Sequence, residues 1–245
     1  MLDQIIEVNT GAGAMNTFIT QPDTDFDYPL VLLLMDAPGI RPELFDMAKR
    51  LGSAGYSVAV PNLYYRRTRS GVTGADREAM YGHMNSLSAA AVCADLEALL
   101  AELRPRPGLH RGKFGCVGYC MSGPFALAAA SHFGPQMAAA ASFHGVRLCH
   151  QGLDSVHRQL GSVQAELYIG CAAADAWAPP ELMELLEIHL QRAQIRYRVE
   201  WYPDTRHGFV FPERPLVYQR AGAERHWTRL LALLRSNLPK TSEVA

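Results

Sequence analysis

A hexapeptide near the middle of the chain, Gly-Tyr-Cys-Met-Ser-Gly at residues 118–123, has the composition of a catalytic turn. A nucleophile at the tip of a tight strand-to-helix turn has a strained backbone, and bulky residues two positions before or after it would collide. Gly118 and Ser122 occupy those positions around Cys120. At a helix N-terminus, unpaired amides favour the thiolate, the reactive form of cysteine. The pattern predicts a nucleophilic thiol, although a buried structural cysteine fits the same composition.

Two further residues complete the chemistry that a nucleophilic thiol requires. Strand-like apolar runs end at Cys171 and Tyr202, and Asp175 and His207 follow these two ends. With Cys120 they give the chain order nucleophile, acid, histidine that is typical of α/β hydrolases. His207 would accept the thiol proton and later protonate the leaving group, while Asp175 would orient the imidazole and stabilise its charged form. The order predicts a Cys120–His207–Asp175 triad for acyl transfer, most simply hydrolysis.

An acyl-transfer site also requires convergent backbone amides for the oxyanion. Met121, directly after the nucleophile, would supply one amide. Ala37, in the loop after the first central strand, is the best second donor because Pro38 has no amide hydrogen. His144 also follows a strand but precedes Asp175 in the chain, so we assign it to the wall of the substrate pocket and not to the triad.

Alternating strand and helix patterns must position these residues. The apolar runs that predict strands are Leu30–Met35, Tyr56–Pro61, Phe114–Tyr119, Ala138–Phe143, Glu166–Cys171 and Tyr197–Tyr202. Apolar residues at helical spacing predict helices over Ala89–Leu103 and Trp227–Leu238. Pro180 suits the first turn of a further helix, where the amide that proline lacks is not needed.

This alternation predicts a single α/β-hydrolase domain over residues 1–245, with a mostly parallel central sheet and helices on both faces. Ile5–Val8 and Met15–Thr20, separated by Gly-Ala-Gly, predict an antiparallel hairpin at the N-terminus. Arg66–Gly74 is polar and predicts a surface loop. In such a sheet ligands bind outside the carboxyl ends of the strands, where the candidate residues lie.

Composition argues against several classes of function. The 245 residues carry a formal net charge of −1, which gives no reason to expect a nucleic-acid partner. No apolar run has the length of a membrane span, and the first residues lack the features of a secretion signal, so we expect a cytoplasmic protein without a membrane partner. Five cysteines at scattered spacing indicate reduced thiols, and nine histidines without ligand spacing predict no metal site.

With these motifs the chain resembles the dienelactone hydrolase family over nearly its whole length. The matching segments are residues 118–123, Pro-Asn-Leu-Tyr at 61–64, the Asp175 loop and His-Gly-Phe at 207–209. The resemblance implies a cytosolic esterase or lactonase with a Cys–His–Asp triad, a small-molecule ester or lactone substrate, and no metal or other cofactor. It also implies that an acidic residue contacts the resting thiol, at Asp36 here. The family typically has Glu there, and a turn residue opening Asp-Ala-Pro-Gly is the alternative.

The resemblance is weaker at the positions that bind substrate. Dienelactone-cleaving members of the family bind the substrate carboxylate with two arginines, and Arg77, four residues before Tyr81, matches one arginine and its accompanying tyrosine. The second arginine would follow the histidine by four positions, where this chain has Phe211, which cannot provide bidentate recognition. A less anionic or more aromatic ester therefore fits better, with Trp177, Phe209 and Phe211 as candidate contacts that could equally be core residues.

Two functions other than ester or lactone hydrolysis through a thioacyl-enzyme stay open. Cys120 could be a redox-reactive thiol, although Cys116 lies on the same predicted strand about 13 Å away, too far for a disulfide. The chain could also be a non-catalytic ligand-binding protein, since a fold does not guarantee turnover. For the assembly we expect a monomer or a homodimer.

Overall fold

The computed structural model describes residues 1–24, 26–71, 76–109, 112–152 and 155–238, and the backbone of residues 242–243. The chain falls into two compact units, of which the first includes Met1–Gly115 and the second is Cys116–Leu238. The predicted loop Arg66–Gly74 contains neither helix nor strand as far as residue 71, and its residues 72–74 lie outside the described part of the chain.

The first unit contains strands β1 (Leu2–Asn9), β2 (Ala14–Gln21), β3 (Phe26–Asp27), β4 (Leu30–Leu34) and β5 (Ser57–Pro61), and helices α1 (Pro42–Ser53), α2 (Arg77–Met84) and α3 (Ala89–Leu103). Four of its strands lie in the order β1-β2-β5-β4. Strands β1 and β2 pair antiparallel with Val8 opposite Met15, which confirms the predicted hairpin. Strands β4 and β5 pair in parallel, and all their residues are buried, as in parallel strands covered on both faces.

The second unit contains β6 (Phe114–Tyr119, which starts at the end of the first unit), α4 (Gly123–Phe133), β7 (Met137–Phe143), β8 (Glu166–Ala174), α5 (Pro180–Arg192), β9 (Tyr197–Arg206) and α6 (Arg220–Asn237). Its strands lie in the order β6-β7-β8-β9, and β8 pairs in parallel with both neighbours. Helix α4 packs on β7, and α6 packs on β7, β8 and β9. The short strand β10 (Ser242–Glu243) pairs antiparallel with β3. Strands, helices and parallel pairing confirm the predicted α/β organisation.

Strands β8 and β9 continue beyond their predicted ends through an irregularity in their pairing. The register passes from Ala172 opposite Tyr202 to Ala174 opposite Arg206, so β9 contains the extra residues of a bulge. The hydroxyl of Thr205 donates to the Tyr202 carbonyl at 2.7 Å and thereby closes the bulge. Bulges bend a strand and redirect the side chains that follow it. This bulge lies immediately before the predicted acid and the predicted histidine.

Candidate active site

Cys120 lies at the junction of β6 and α4, in a single 3₁₀ turn over Cys120–Ser122. Its φ of +54° belongs to the left-handed region, which residues other than glycine rarely adopt. Only 7% of the residue is exposed. The strained residue is the first of this turn, three positions before α4, which is the strand–turn–helix geometry that the sequence predicts for a nucleophile.

Small residues on both sides make this turn possible. A Cβ atom on Gly118 would lie 2.2 Å from the carbonyl oxygen of Ser122, and one on Gly123 would lie 2.4 Å from Oγ of Ser142. The buried Ser122 hydroxyl accepts a hydrogen bond from the Tyr119 amide at 2.9 Å and donates to the Tyr119 carbonyl at 3.1 Å. The crowding expected at Gly118 and Ser122 is therefore present, and Ser122 also closes the turn.

The predicted acid and histidine meet at the ends of β8 and β9. Nδ1 of His207 donates a hydrogen bond to Oδ2 of Asp175 at 2.7 Å. The Asp175 side chain has no exposed surface, and its other oxygen accepts a hydrogen bond from the Trp177 amide at 2.9 Å. Both carboxylate oxygens are thus engaged, and the second ring nitrogen of His207 is left for another partner.

That partner is Cys120. Burial by itself would lower the pKa of His207, but hydrogen bonds to Asp175 and to Cys120, together with the charges of these groups, raise it to about 10. The imidazole is therefore protonated at pH 7. An imidazolium in this position stabilises a neighbouring thiolate and can give its proton to a leaving group. The structure brings the three residues of the predicted triad together in one unit.

His144 lies beside His207. It follows β7 with a φ of +38°, and its side chain is fully buried. The ring centroids of His144 and His207 are 4.8 Å apart, with the ring planes at 72°. His144 contacts the predicted catalytic histidine from within the core, and its predicted place in the wall of the substrate pocket stays a prediction.

Two of the three predicted aromatic contacts are also core residues. Phe209 and Phe211 have no exposed surface, and their ring centroids lie 5.8 and 5.7 Å from that of His144. Their burial favours the core interpretation over substrate contact. Trp177 is different, since 49% of it is exposed while its amide binds the acid of the triad.

Sequence reasoning missed Arg214. Its guanidinium carbon lies 4.4 Å from the centroid of the Phe211 ring, and a Cβ atom on Gly208 would lie 3.1 Å from its Nη1. A positive charge therefore stands beside the turn that carries His207, three residues beyond the position where an arginine was sought. A turn, in which the Arg214 amide donates to the Phe211 carbonyl at 3.1 Å, brings it there. Spacing along the sequence gives no sign of this turn.

In the first unit Asp36 is fully buried and is paired with Arg41, a second residue that sequence reasoning missed. Nη1 of Arg41 lies 2.5 Å from Oδ1 of Asp36, and Nη2 lies 2.6 Å from Oε2 of Glu43. Burial would lower the pKa of Arg41, but the two carboxylates raise it. The Asp36 carbonyl also accepts a hydrogen bond from Gly39 at 2.8 Å, so the turn predicted for this segment is present. The predicted contact between Asp36 and the thiol stays a prediction.

The other candidates of the first unit lie in a loop and on α2. The Ala37 carbonyl accepts a hydrogen bond from the Tyr64 hydroxyl at 3.0 Å, which anchors the loop after β4. Arg77 and Tyr81 are both exposed and stand one turn apart on α2. Met121, the other predicted oxyanion donor, is buried in the turn after Cys120.

Three further properties of the described part of the chain concern metal-ligand groups, disulfides and membrane-spanning helices. Within it, no group of three or more His, Cys, Asp or Glu residues is arranged to hold a metal ion. All five cysteines lie within it as buried free thiols. None of its helices combines the length and the apolar character needed to cross a membrane.

Comparison with known proteins identifies a family and related sequences. The model of the dienelactone hydrolase family matches residues 15–238. A Synechocystis sp. protein provisionally named carboxymethylenebutenolidase is 25% identical over 227 residues, which cover 90% of this chain and 91% of that protein.

Two solved structures show the same fold over nearly the whole chain. The structure of a Klebsiella pneumoniae protein provisionally named dienelactone hydrolase gives a TM-score of 0.86 at 22% sequence identity. The match covers 96% of this chain and 98% of that protein. The structure of a dienelactone hydrolase-like promiscuous phosphotriesterase from metagenomic libraries gives a TM-score of 0.83 at 18% sequence identity. The match covers 96% of this chain and 98% of that protein. The predicted α/β-hydrolase fold is confirmed.

Proposed function

Because the chain belongs to the dienelactone hydrolase family, we propose that it cleaves a carboxylic ester or lactone through a thioacyl-enzyme formed on Cys120. The observation that carries the proposal is the place of His207, which is hydrogen-bonded both to Asp175 and to Cys120. This is the arrangement that a nucleophilic thiol requires. The strained turn at Cys120 supports it independently, since such strain is concentrated at functional sites.

Acylation begins when the thiolate sulfur of Cys120 attacks the carbonyl carbon and the carbonyl electron pair moves to oxygen. We assign the stabilisation of this oxyanion to the backbone amides of Met121 and Ala37, and the support of the resting thiol to Asp36. When the tetrahedral intermediate collapses, the bond between carbon and the leaving oxygen breaks, and that oxygen takes the Nε2 proton of His207. The products are a thioester and a free alcohol; for a lactone the alcohol stays attached to the acyl chain.

Deacylation reverses the roles of the same groups. The neutral His207 takes a proton from water, and the resulting hydroxide attacks the thioester carbon. The carbon–sulfur bond then breaks, which releases the carboxylic acid and restores the thiolate beside the imidazolium. The acid then loses its proton to the solvent. Asp175 stays ionised throughout, because its function is to orient the imidazole and stabilise the imidazolium.

The residues proposed to bind substrate carry aromatic and positive groups. Trp177 and Arg214 belong to the second unit, and Arg77 and Tyr81 are exposed on α2. Since Arg214 supplies a guanidinium near His207, an ester or lactone with an anionic group is again a candidate substrate, despite the phenylalanine at position 211. We also infer a cytoplasmic location, supported by the buried free thiols, and a monomer or homodimer.

The test is the hydrolysis of p-nitrophenyl acetate by the wild type, Cys120→Ala and His207→Gln. We expect kcat to fall about 10³-fold or more in both variants. Cys149→Ala removes another buried thiol and is the matched control, so it should keep wild-type kinetics. Mass spectrometry of a rapidly quenched reaction should find the acetyl group on Cys120.

Other outcomes would contradict the proposal in different ways. Undiminished hydrolysis by Cys120→Ala would exclude the thiol as nucleophile. Peroxide consumption that depends on Cys120, without esterase activity, would indicate a redox protein. A wild type that binds esters but turns none over would indicate a ligand-binding protein.

A further inference from the structure

A second histidine stands beside the proposed catalytic pair and has no part in the mechanism above. His144 is fully buried, and neither of its ring nitrogens has a hydrogen-bond partner among the described residues. A buried polar group without a partner costs free energy, so an aliphatic side chain would be more favourable here if the position only filled space. The ring of His144 meets that of His207 at 72°. The contact with His207 therefore calls for a functional explanation.

The His144 ring is itself held in place from several directions. Phe209 and Phe211 pack against it, each with its ring plane at 71° to that of the histidine. The His144 amide donates to the Gly170 carbonyl at 2.7 Å, and the left-handed backbone sets the direction in which the side chain leaves the main chain. His144 thus presents a fixed ring to His207.

The hydrogen bond to Asp175 does not by itself fix the plane of the catalytic ring. The torsion about the Cβ–Cγ bond of His207 is broad, and one hydrogen bond at Nδ1 tolerates a small change in it, which tilts the ring and moves Nε2 relative to Cys120. The ring of His144 opposes the tilt, because the rotation drives the two rings into each other. We propose that His144 is a positioning residue that holds the plane of His207 so that Nε2 stays directed at Cys120. The inference rests on the proposed function of that pair.

The charges around His144 agree with this role. Burial, followed by the positive charges of His207, Arg214 and His226, lowers the pKa of His144 well below its ordinary value. The ring is therefore neutral at pH 7. A neutral aromatic ring attracts a neighbouring cation through its π system, whereas a second imidazolium would repel it. His144 can thus hold His207 in place while His207 carries the proton.

The test compares three replacements at position 144 in the full-length protein. His144→Ala removes the ring, His144→Phe keeps a flat ring without nitrogen, and His144→Leu fills volume without a planar face. The measurements are kcat and KM for p-nitrophenyl acetate and the rate at which iodoacetamide alkylates Cys120 at pH 7. We expect His144→Ala and His144→Leu to lower kcat and the alkylation rate about 10²-fold with little change in KM. His144→Phe should restore most of kcat and most of the alkylation rate.

A matched control separates positioning from the general cost of losing a buried histidine. His157 is also buried. It is hydrogen-bonded to Ser155 and packs on His189 at 4.6 Å between ring centroids, and these contacts involve no residue of the triad. His157→Phe should keep wild-type kcat. If His144→Ala does not fold, the comparison of the Phe and Leu variants decides the matter.

Two results would overturn the proposal. Wild-type kcat in His144→Leu would show that no planar ring is needed, and equal losses in the Phe and Leu variants would show that the ring shape is not what matters. If the wild type turns over no ester, the proposed function fails, but the alkylation rates still test the positioning. Equal alkylation of the wild type and the Leu variant would then overturn it.

Discussion

Asp175 and His207 are joined by a 2.7 Å hydrogen bond directly after the bulge in β9. The extra residues of the bulge lengthen β9 relative to β8 and set the level at which His207 leaves the sheet. A local irregularity of pairing thus positions the histidine opposite a carboxylate whose own two oxygens are engaged.

Asp175→Asn is expected to lower kcat for p-nitrophenyl acetate about 10²- to 10⁴-fold. The amide keeps the shape of the carboxylate but cannot stabilise an imidazolium, and its NH₂ group would favour the wrong tautomer of His207. Asp204→Asn is the matched control, because Asp204 is exposed and its φ of +57° suits asparagine. A wild-type kcat in Asp175→Asn would show that this hydrogen bond has no catalytic role.

The protonation of His207 gives a prediction that does not depend on turnover. Its pKa is raised to about 10, so the ring should stay protonated from neutral pH upward and lose its proton only as the pH rises through about 10. The hydrogen bond to Asp175 favours the protonated form, and its removal must therefore move the titration to lower pH. NMR of the ring C–H resonance, assigned with His207→Gln, should show this shift in Asp175→Asn. Titration of the wild type near 6.5 would contradict the prediction.

Sequence reasoning succeeded where local chemistry determines position. The small residues around Cys120 leave room for a tight turn, and residues after parallel strands converge at one edge of a sheet. Asp175 and His207 could therefore be paired from their order in the chain alone. The hairpin and helix α5 followed from equally local signals, the Gly-Ala-Gly turn and Pro180.

Other features depend on contacts between residues that are far apart in the sequence, for which no local pattern exists. Helix α2 buries none of its residues, so it has no apolar pattern to read. The bulge in β9 lies in a segment whose composition is that of a loop. Phe211 was correctly recognised as unable to bind a carboxylate, but the turn that places Arg214 over its ring is a tertiary feature. The contact of His144 with His207 is also tertiary, and the order of residues in the chain does not reveal its burial.

Gly118→Ala should destabilise the protein and lower its activity together. The added Cβ would meet the Ser122 carbonyl oxygen at 2.2 Å, and the turn must open to accommodate it. We expect the free energy of unfolding to fall by about 1–3 kcal/mol or more, as measured by urea denaturation. Gly161→Ala is the control, since nothing lies within 4 Å of a Cβ there. Equal stability of the two variants would contradict the crowding argument.

Arg41 stabilises two buried carboxylates, so its loss should be costly. Arg41→Met would remove the guanidinium that forms salt bridges with both Asp36 and Glu43. Leaving buried charges uncompensated typically lowers the free energy of unfolding by about 3–5 kcal/mol. The double variant Asp36→Asn, Arg41→Met removes one of these charges and should recover part of the loss. Chemical denaturation of the three proteins measures the difference. An Arg41→Met variant as stable as the wild type would show that this pairing contributes nothing.

Arg214 should determine how well the enzyme accepts an anionic ester. Its guanidinium lies over Phe211 beside the turn of His207, where it can bind a carboxylate of the substrate. We expect Arg214→Gln to lower kcat/KM for p-nitrophenyl hemisuccinate about 10- to 100-fold while p-nitrophenyl butyrate is hardly affected. Arg214→Lys should recover only part of the loss, because an ammonium lacks the planar face that stacks on the ring.

Arg220→Gln removes an exposed arginine at the start of α6 and controls for the change in net charge. It should leave the ratio of the two kcat/KM values at its wild-type level. Equal losses for the charged and the uncharged ester in Arg214→Gln would mean that Arg214 supports the His207 turn and not the substrate. A ratio unchanged from the wild type, with full activity, would remove Arg214 from the binding site altogether. Only a loss specific to the anionic ester assigns the guanidinium to substrate recognition.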